Sequence, residues 1–134
     1  MSSRKSYGNS SLDDKMACEG AFDSFAESYD KVMGGPMTFL TNLLIRDIQI
    51  PENPMVLDVG CGTGISTFEL MKRVRGRGKF YGVDISQKMI DLAKARALDM
   101  GYGSAEFIKG DGERLEFPES TFDLVVSNQV FQFF

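Results

Sequence analysis

The sequence predicts an α/β protein built on a parallel sheet. Three observations lead there. The run Met55-Val56-Leu57-Asp58-Val59 is short and nearly continuously apolar, as in a strand buried on both faces. Segments with apolar residues at helical spacing separate it from later strand-like runs. Gly-rich or Ser-initiated turns stand at the junctions, so that strand, helix and strand alternate along the chain.

Taken in order, residues 1–15 are mostly Ser, Lys, Asp and Asn and read as a disordered leader, with one domain over 16–134. Phe22, Phe25, Ala26, Tyr29 and Met33 recur at helical spacing. Gly34-Gly35-Pro36 is expected to break that helix, and a second runs from about Met37 to Ile48, giving two N-terminal helices. Pro51 and Pro54 precede the first strand. The Gly60–Gly64 turn opens a helix with Ile65, Phe68 and Met71 on one stripe. Lys79 to Ile85 is a second strand. Ser86 caps a helix reaching about Met100, which Gly101 and Gly103 end. Ala105–Lys109 and Phe122–Ser127 complete four strands. Residues 112–121 are too few for a crossover helix, and Pro118 discourages one. In a doubly wound sheet ordered 3-2-1-4 the diagonal from strand 3 to strand 4 is about 22 Å, and such a stretch reaches ~33 Å, so an irregular crossover suffices.

Composition narrows the function. At 134 residues, 43% hydrophobic and 25% charged, the chain suits one globular domain. Its net charge is −4, with no clustered basic face, which argues against a nucleic-acid partner. The cluster Lys72, Arg73, Arg75, Arg77 and Lys79 reads as a solvated helix end suited to the helix dipole. No apolar run reaches the ~18 residues of a membrane span, and no signal peptide is apparent, which points to a cytoplasmic protein without a membrane partner. Two cysteines, Cys18 and Cys61, make neither a disulfide framework nor a metal site. With no His, a His-ligated metal and a His base are excluded.

The chemistry concentrates at Val56-Leu57-Asp58-Val59-Gly60-Cys61-Gly62-Thr63-Gly64. Glycines at 60, 62 and 64 permit a tight turn and a close ligand approach, at the carboxyl end of the first strand where α/β sheets bind ligands. Strand 2 ends in Asp84, placed to accept from two ribose hydroxyls. A nicotinamide site also has a Gly-rich strand–turn–helix and a downstream acid. Its G-x-G-x-x-G fingerprint, however, needs a small third residue, and that position is Ile65. Asp58 would crowd a pyrophosphate and better suits a cofactor with an ammonium group and no phosphate. Both points favour S-adenosylmethionine. Alone, Asp84 can also be a helix-capping acid, Asp111 a turn residue, Tyr29 a core residue and Cys61 a small filler of the turn.

VLDVGCGTG resembles the first motif of class I S-adenosylmethionine-dependent methyltransferases, and GVDIS at 82–86 resembles the second. The stretch from Gly110 onward resembles the third and fourth. The helix with Phe25, Ala26, Tyr29 and Asp30 is similar to the N-terminal helix that closes over the cofactor in the ubiquinone/menaquinone-biosynthesis type (methyltransferase domain type 11). The resemblance covers about residues 20–134. It implies a Rossmann-like fold and methyl transfer from S-adenosyl-L-methionine to a small-molecule acceptor; a non-catalytic cofactor-binding relative is the alternative. It implies that Gly60, Cys61, Gly62 and Gly64 cradle the methionine moiety, with Asp58 holding the loop and, through water, the amino group. Asp84 would bind the ribose, Ile85 and Met89 would flank the adenine, and Asp111 would accept from its amino group beside Gly112, where the family more often has Ala. Asn128 would face the sulfonium, and Tyr29 would contact the cofactor. No metal is implied. The family's sheet has seven strands and four are present here, so the chain is expected to be the cofactor-binding part, inactive alone and prone to self-association through strand 4 and the Val130–Phe134 tail.

Overall fold

The computed structural model describes residues 11–127, apart from the side chains of Cys18, Phe22, Phe25 and Glu27. Its elements are α1 (Leu12–Ile45), β1 (Met55–Val59), α2 (Ile65–Arg73), β2 (Lys79–Asp84), α3 (Gln87–Asp99), β3 (Glu106–Lys109) and β4 (Leu124–Val126). The four strands form one parallel sheet ordered β3-β2-β1-β4, the order the sequence predicts.

The strand pattern sorts side chains by face. From β1, Val56 joins Phe80, Phe107 and Val126 beneath the helices, where Phe68, Leu70, Met71, Ile90, Ala93 and Ala97 complete the main core. Leu57 and Val59 point the other way, with Val83. That second face is covered by the irregular chain between β3 and β4, whose Phe117 and Phe122 pack edge-on against Tyr81 and each other. The crossover therefore contains no helix, as its length and Pro118 require.

Helix ends follow local rules. Ser86 caps α3 by accepting from the Met89 amide at 3.2 Å. Gly101, at φ +78°, closes it as the Tyr102 amide reaches the Ala97 carbonyl at 2.7 Å. Helix α2 ends in the same motif, with Arg75 at φ +56° in the glycine position.

Two expectations change. The Gly34-Gly35-Pro36 break does not occur: α1 is one helix of 34 residues with Pro36 inside it. Proline withholds the amide that would bond the Val32 carbonyl, but both residues are exposed, so water can serve that carbonyl. Packing carries the helix past this point, since Ala26, Met37, Thr41 and Ile45 are all buried. The Thr41 hydroxyl meets the Ser66 hydroxyl of α2 at 2.8 Å. Arg73 of α2 donates to the carbonyls of Ile45, Arg46 and Ile48, supplying the cation that the last turn of α1 lacks. The helix also begins earlier than expected. A capping box between Ser11 and Asp14 draws 12–15, read from sequence as leader, into α1.

Gly82 sits where β2 passes between Cys61 and Phe107. A Cβ there would lie 2.6 Å from the Phe107 ring and 2.9 Å from the Cys61 sulfur. Gly82→Ala should therefore cost about 1–3 kcal/mol in denaturant unfolding. Gly20→Ala, where a Cβ meets nothing within 4 Å in a helix, should instead stabilise by roughly 0.5–1 kcal/mol.

Candidate functional site

The site lies at the carboxyl ends of β1, β2 and β3. The β1–α2 turn is shaped by Gly60, Gly62 and Gly64, all with positive φ (70°, 55° and 91°). At Gly64 a side chain would also strike the Phe68 ring at 2.7 Å. The turn is fastened to β2 from two directions. The Val83 carbonyl accepts from the Gly60 and Cys61 amides at 2.7 and 3.0 Å. The Asp84 carboxylate accepts from the Gly62 amide at 2.8 Å and, through its other oxygen, from the Ser86 amide at 2.9 Å. Cys61 is buried against Gly82 and fills the turn, the bland role its size suggested.

Asp58 is 1% exposed beneath this turn, and the Thr67 hydroxyl donates to it at 2.8 Å, tying β1 to α2. Burial pushes its carboxyl up to about 7; the Thr67 hydrogen bond opposes the rise, and the Asp84 charge adds to it. Burial also raises Asp84, against the amide bonds from Ser86 and Gly62.

Helix α1 crosses this edge of the sheet with a polar side chain at nearly every turn. Lys15 bridges Asp111 and Glu113, both at 2.8 Å. Glu19 pairs with Lys109 at 2.5 Å. Asp23 takes the Ser86 hydroxyl. Tyr29 stands over the turn, its ring 3.9 Å from where a Cβ on Gly62 would be, and burial with the Asp84 and Asp58 charges raises its phenol. Asp30 accepts from the Thr63 hydroxyl at 2.5 Å and pairs with Arg96 of α3.

Of the residues singled out by sequence, Tyr29, Asp58, Gly60, Cys61, Gly62, Gly64 and Asp84 thus come together. Ile85 and Met89 continue from Asp84 into α3, Ile85 half-buried and Met89 fully buried. Asp111 and Gly112 follow β3. Asp111 makes the turn bond expected of an Asp before Gly, accepting from the Glu113 amide at 2.9 Å. Burial works to raise Asp111, but the Lys15 ammonium and the Glu113 amide hold its carboxyl below the ordinary range. Asn128 and the Val130–Phe134 tail lie outside the described residues. Sequence reading did not assign roles to Lys15, Asp23, Asp30, Thr63 or Arg96. Asp30 was named only as part of the helix that resembles the family's N-terminal one; the helical spacing of charges at 15, 19, 23 and 30 in isolation describes any solvated helix face.

The residues present fit a cationic, ribose-bearing cofactor. The floor at Gly62 is open apart from the Tyr29 ring, and the acids beneath and beside it, Asp58 and Asp84, suit an ammonium and oppose a pyrophosphate. Among the described residues no acidic or thiol cluster could hold a metal, and no helix is long and apolar enough to cross a membrane.

A parallel 3-2-1-4 sheet with a three-glycine turn over β1 and an acid ending β2 defines a class I S-adenosylmethionine-dependent methyltransferase fold. The family profile described as "Methyltransferase domain" matches residues 56–134, and the chain belongs to that family. It is 32% identical over 111 residues to aklanonic acid methyltransferase DauC of Streptomyces sp. (strain C5), covering 81% of this chain and 49% of the relative. It is 33% identical over 109 residues to demethylmenaquinone methyltransferase of Lactococcus lactis subsp. lactis, covering 78% and 43%. The chain therefore spans about half the length of these curated relatives. Magnesium protoporphyrin IX methyltransferase from Synechocystis shares the fold, with a TM-score of 0.72 at 24% identity over 94% of this chain and 66% of that one.

Asp58 sets a pH test. A carboxyl that ionises at about 7 folded and near 3.8 unfolded keeps its proton longer in the fold. Its contribution to stability is therefore lost as pH rises from ~4 through ~7. Asp58→Asn, which copies the neutral acid, should match the parent in urea unfolding at pH 4 and exceed it by about 2–4 kcal/mol at pH 8.

Proposed function

We propose that this chain supplies the cofactor-binding part, over residues 16–134, of an enzyme that transfers a methyl group from S-adenosyl-L-methionine to a small-molecule acceptor. The observation that carries the reading is the Gly60–Gly64 turn tied through Gly62 to Asp84, with the Asp58 carboxyl buried beneath it. The names of the curated relatives support small-molecule methylation.

When bound, S-adenosylmethionine supplies an electrophilic methyl group on sulfur. The protein's part is to hold and orient it. Gly60, Cys61, Gly62 and Gly64 leave room for the methionine moiety, and Asp58 favours its ammonium from below. Asp84, whose oxygens each keep acceptor capacity beyond their backbone bonds, takes the ribose hydroxyls. Ile85 and Met89 flank the adenine, and Asp111 beside Gly112 accepts from its amino group. Tyr29 closes the site from above, and Asn128 faces the sulfonium.

Calorimetry with S-adenosylhomocysteine and with NAD tests this reading. Binding of the first and not the second is expected; NAD binding at equal or higher affinity overturns it. Lys15 gives a second, oppositely signed test. Its ammonium occupies the carboxylate assigned to the adenine amino group, so Lys15→Met should tighten S-adenosylhomocysteine binding severalfold. The parent's affinity should rise with added salt while the variant's changes less.

A further inference from the structure

We infer that Asp30 is a positioning residue for this site, pinning Tyr29 above the glycine turn by bonding at once to that turn and to α3. The inference rests on the cofactor reading above. Asp30 accepts the Thr63 hydroxyl with one carboxylate oxygen and the Arg96 guanidinium with the other, so one side chain joins α1, the β1–α2 turn and α3. Thr63 is 1% exposed, so its hydroxyl depends on the protein for its partner. Partial burial lowers the Arg96 guanidinium, and Asp30 supplies its counter-charge.

The bonds of Asp30 add to the hold on α1 beside Tyr29. Among the described residues of α1 before Met37, only Ala26 is fully buried, and alanine offers little surface. Gly34, Gly35 and Pro36 follow within two turns and weaken the helix's own support. Asp30, adjacent to Tyr29 in the helix, makes two polar bonds that tie this part of α1 to the turn and to α3. The ring of Tyr29 approaches Gly62, next to Thr63, so the adjacent residues of α1 meet adjacent residues of the turn.

The test is a double-mutant cycle read by S-adenosylhomocysteine calorimetry and by hydrogen exchange of the ligand-free protein. Tyr29→Ala and Asp30→Ala should each weaken binding about tenfold. Asp30→Ala placed on Tyr29→Ala should add no more than about twofold, because Asp30 acts through Tyr29. Asp30→Glu should recover part of the loss. Amides of residues 60–64 should exchange faster in Asp30→Ala, and Thr63→Val should reproduce that change without touching α1. Thr63→Val also stands in if Asp30→Ala does not fold. Simple multiplication of the two affinity losses, or unchanged exchange at 60–64 in both Asp30→Ala and Thr63→Val, overturns the inference. Faster exchange in a protein whose parent binds no S-adenosylhomocysteine overturns the cofactor reading while leaving the positioning role intact.

Discussion

The hydrogen bond from the Gly62 amide to the Asp84 carboxylate is the contact on which the rest of the site depends. Without it the glycine turn, all of whose glycines are left-handed, is held to β2 only through the Val83 carbonyl. With it, the end of β2 fixes the turn that starts α2, and the other oxygen of the same carboxylate fixes the turn that starts α3. One side chain thus sets the relative position of two helix starts. A ligand meeting Asp84 meets a group whose orientation is already fixed by two backbone amides, so little ordering remains to be done on binding. The helix cap at Ser86 extends the arrangement to α1, through Asp23.

The same crowding of acids has a thermodynamic side. Burial raises Asp58 and Asp84, and neighbouring carboxylates add to the effect, Asp84 at Asp58 and Asp23 at Asp84. Ionising these carboxyls in the ligand-free protein costs stability. A cationic ligand would relieve it. A site that destabilises the fold when empty and is relieved when filled is a common mark of binding function.

Much of this was legible in the sequence because the signals were local. A parallel strand buried on both faces must be apolar throughout, so Met55–Val59 stood out. Three glycines spaced by single residues, followed by an acid at the end of the next strand, have few other uses. The length of 112–121 and Pro118 foretold a crossover without a helix. What escaped was decided by distant partners. Gly34-Gly35-Pro36 carries every local sign of a break, yet α1 continues because Ser66, Arg73 and the core hold it from outside the segment. Asp111 read as a ligand with a turn residue as its rival, and the turn bond it makes does not exclude the ligand role. Asp30 was legible only as part of the helix that resembles the family's N-terminal one, and Lys15 only as leader; their partners, Thr63, Arg96, Asp111 and Glu113, are far away in sequence.

Pro36 also divides α1 into two lengths anchored by different physics. Residues 37–45 are seated by apolar burial and by Arg73 at their carbonyl end, neither of which responds much to dissolved ions. Residues 12–30 carry partly exposed ion pairs at Lys15 and Glu19, which an ionic strength of 0.15 M screens over about 8 Å. Proline leaves one backbone bond unmade between the two lengths. Ionic strength therefore acts on one end of a continuous helix and spares the other. The grip of α1 on the sheet edge becomes adjustable while its root in the core stays fixed.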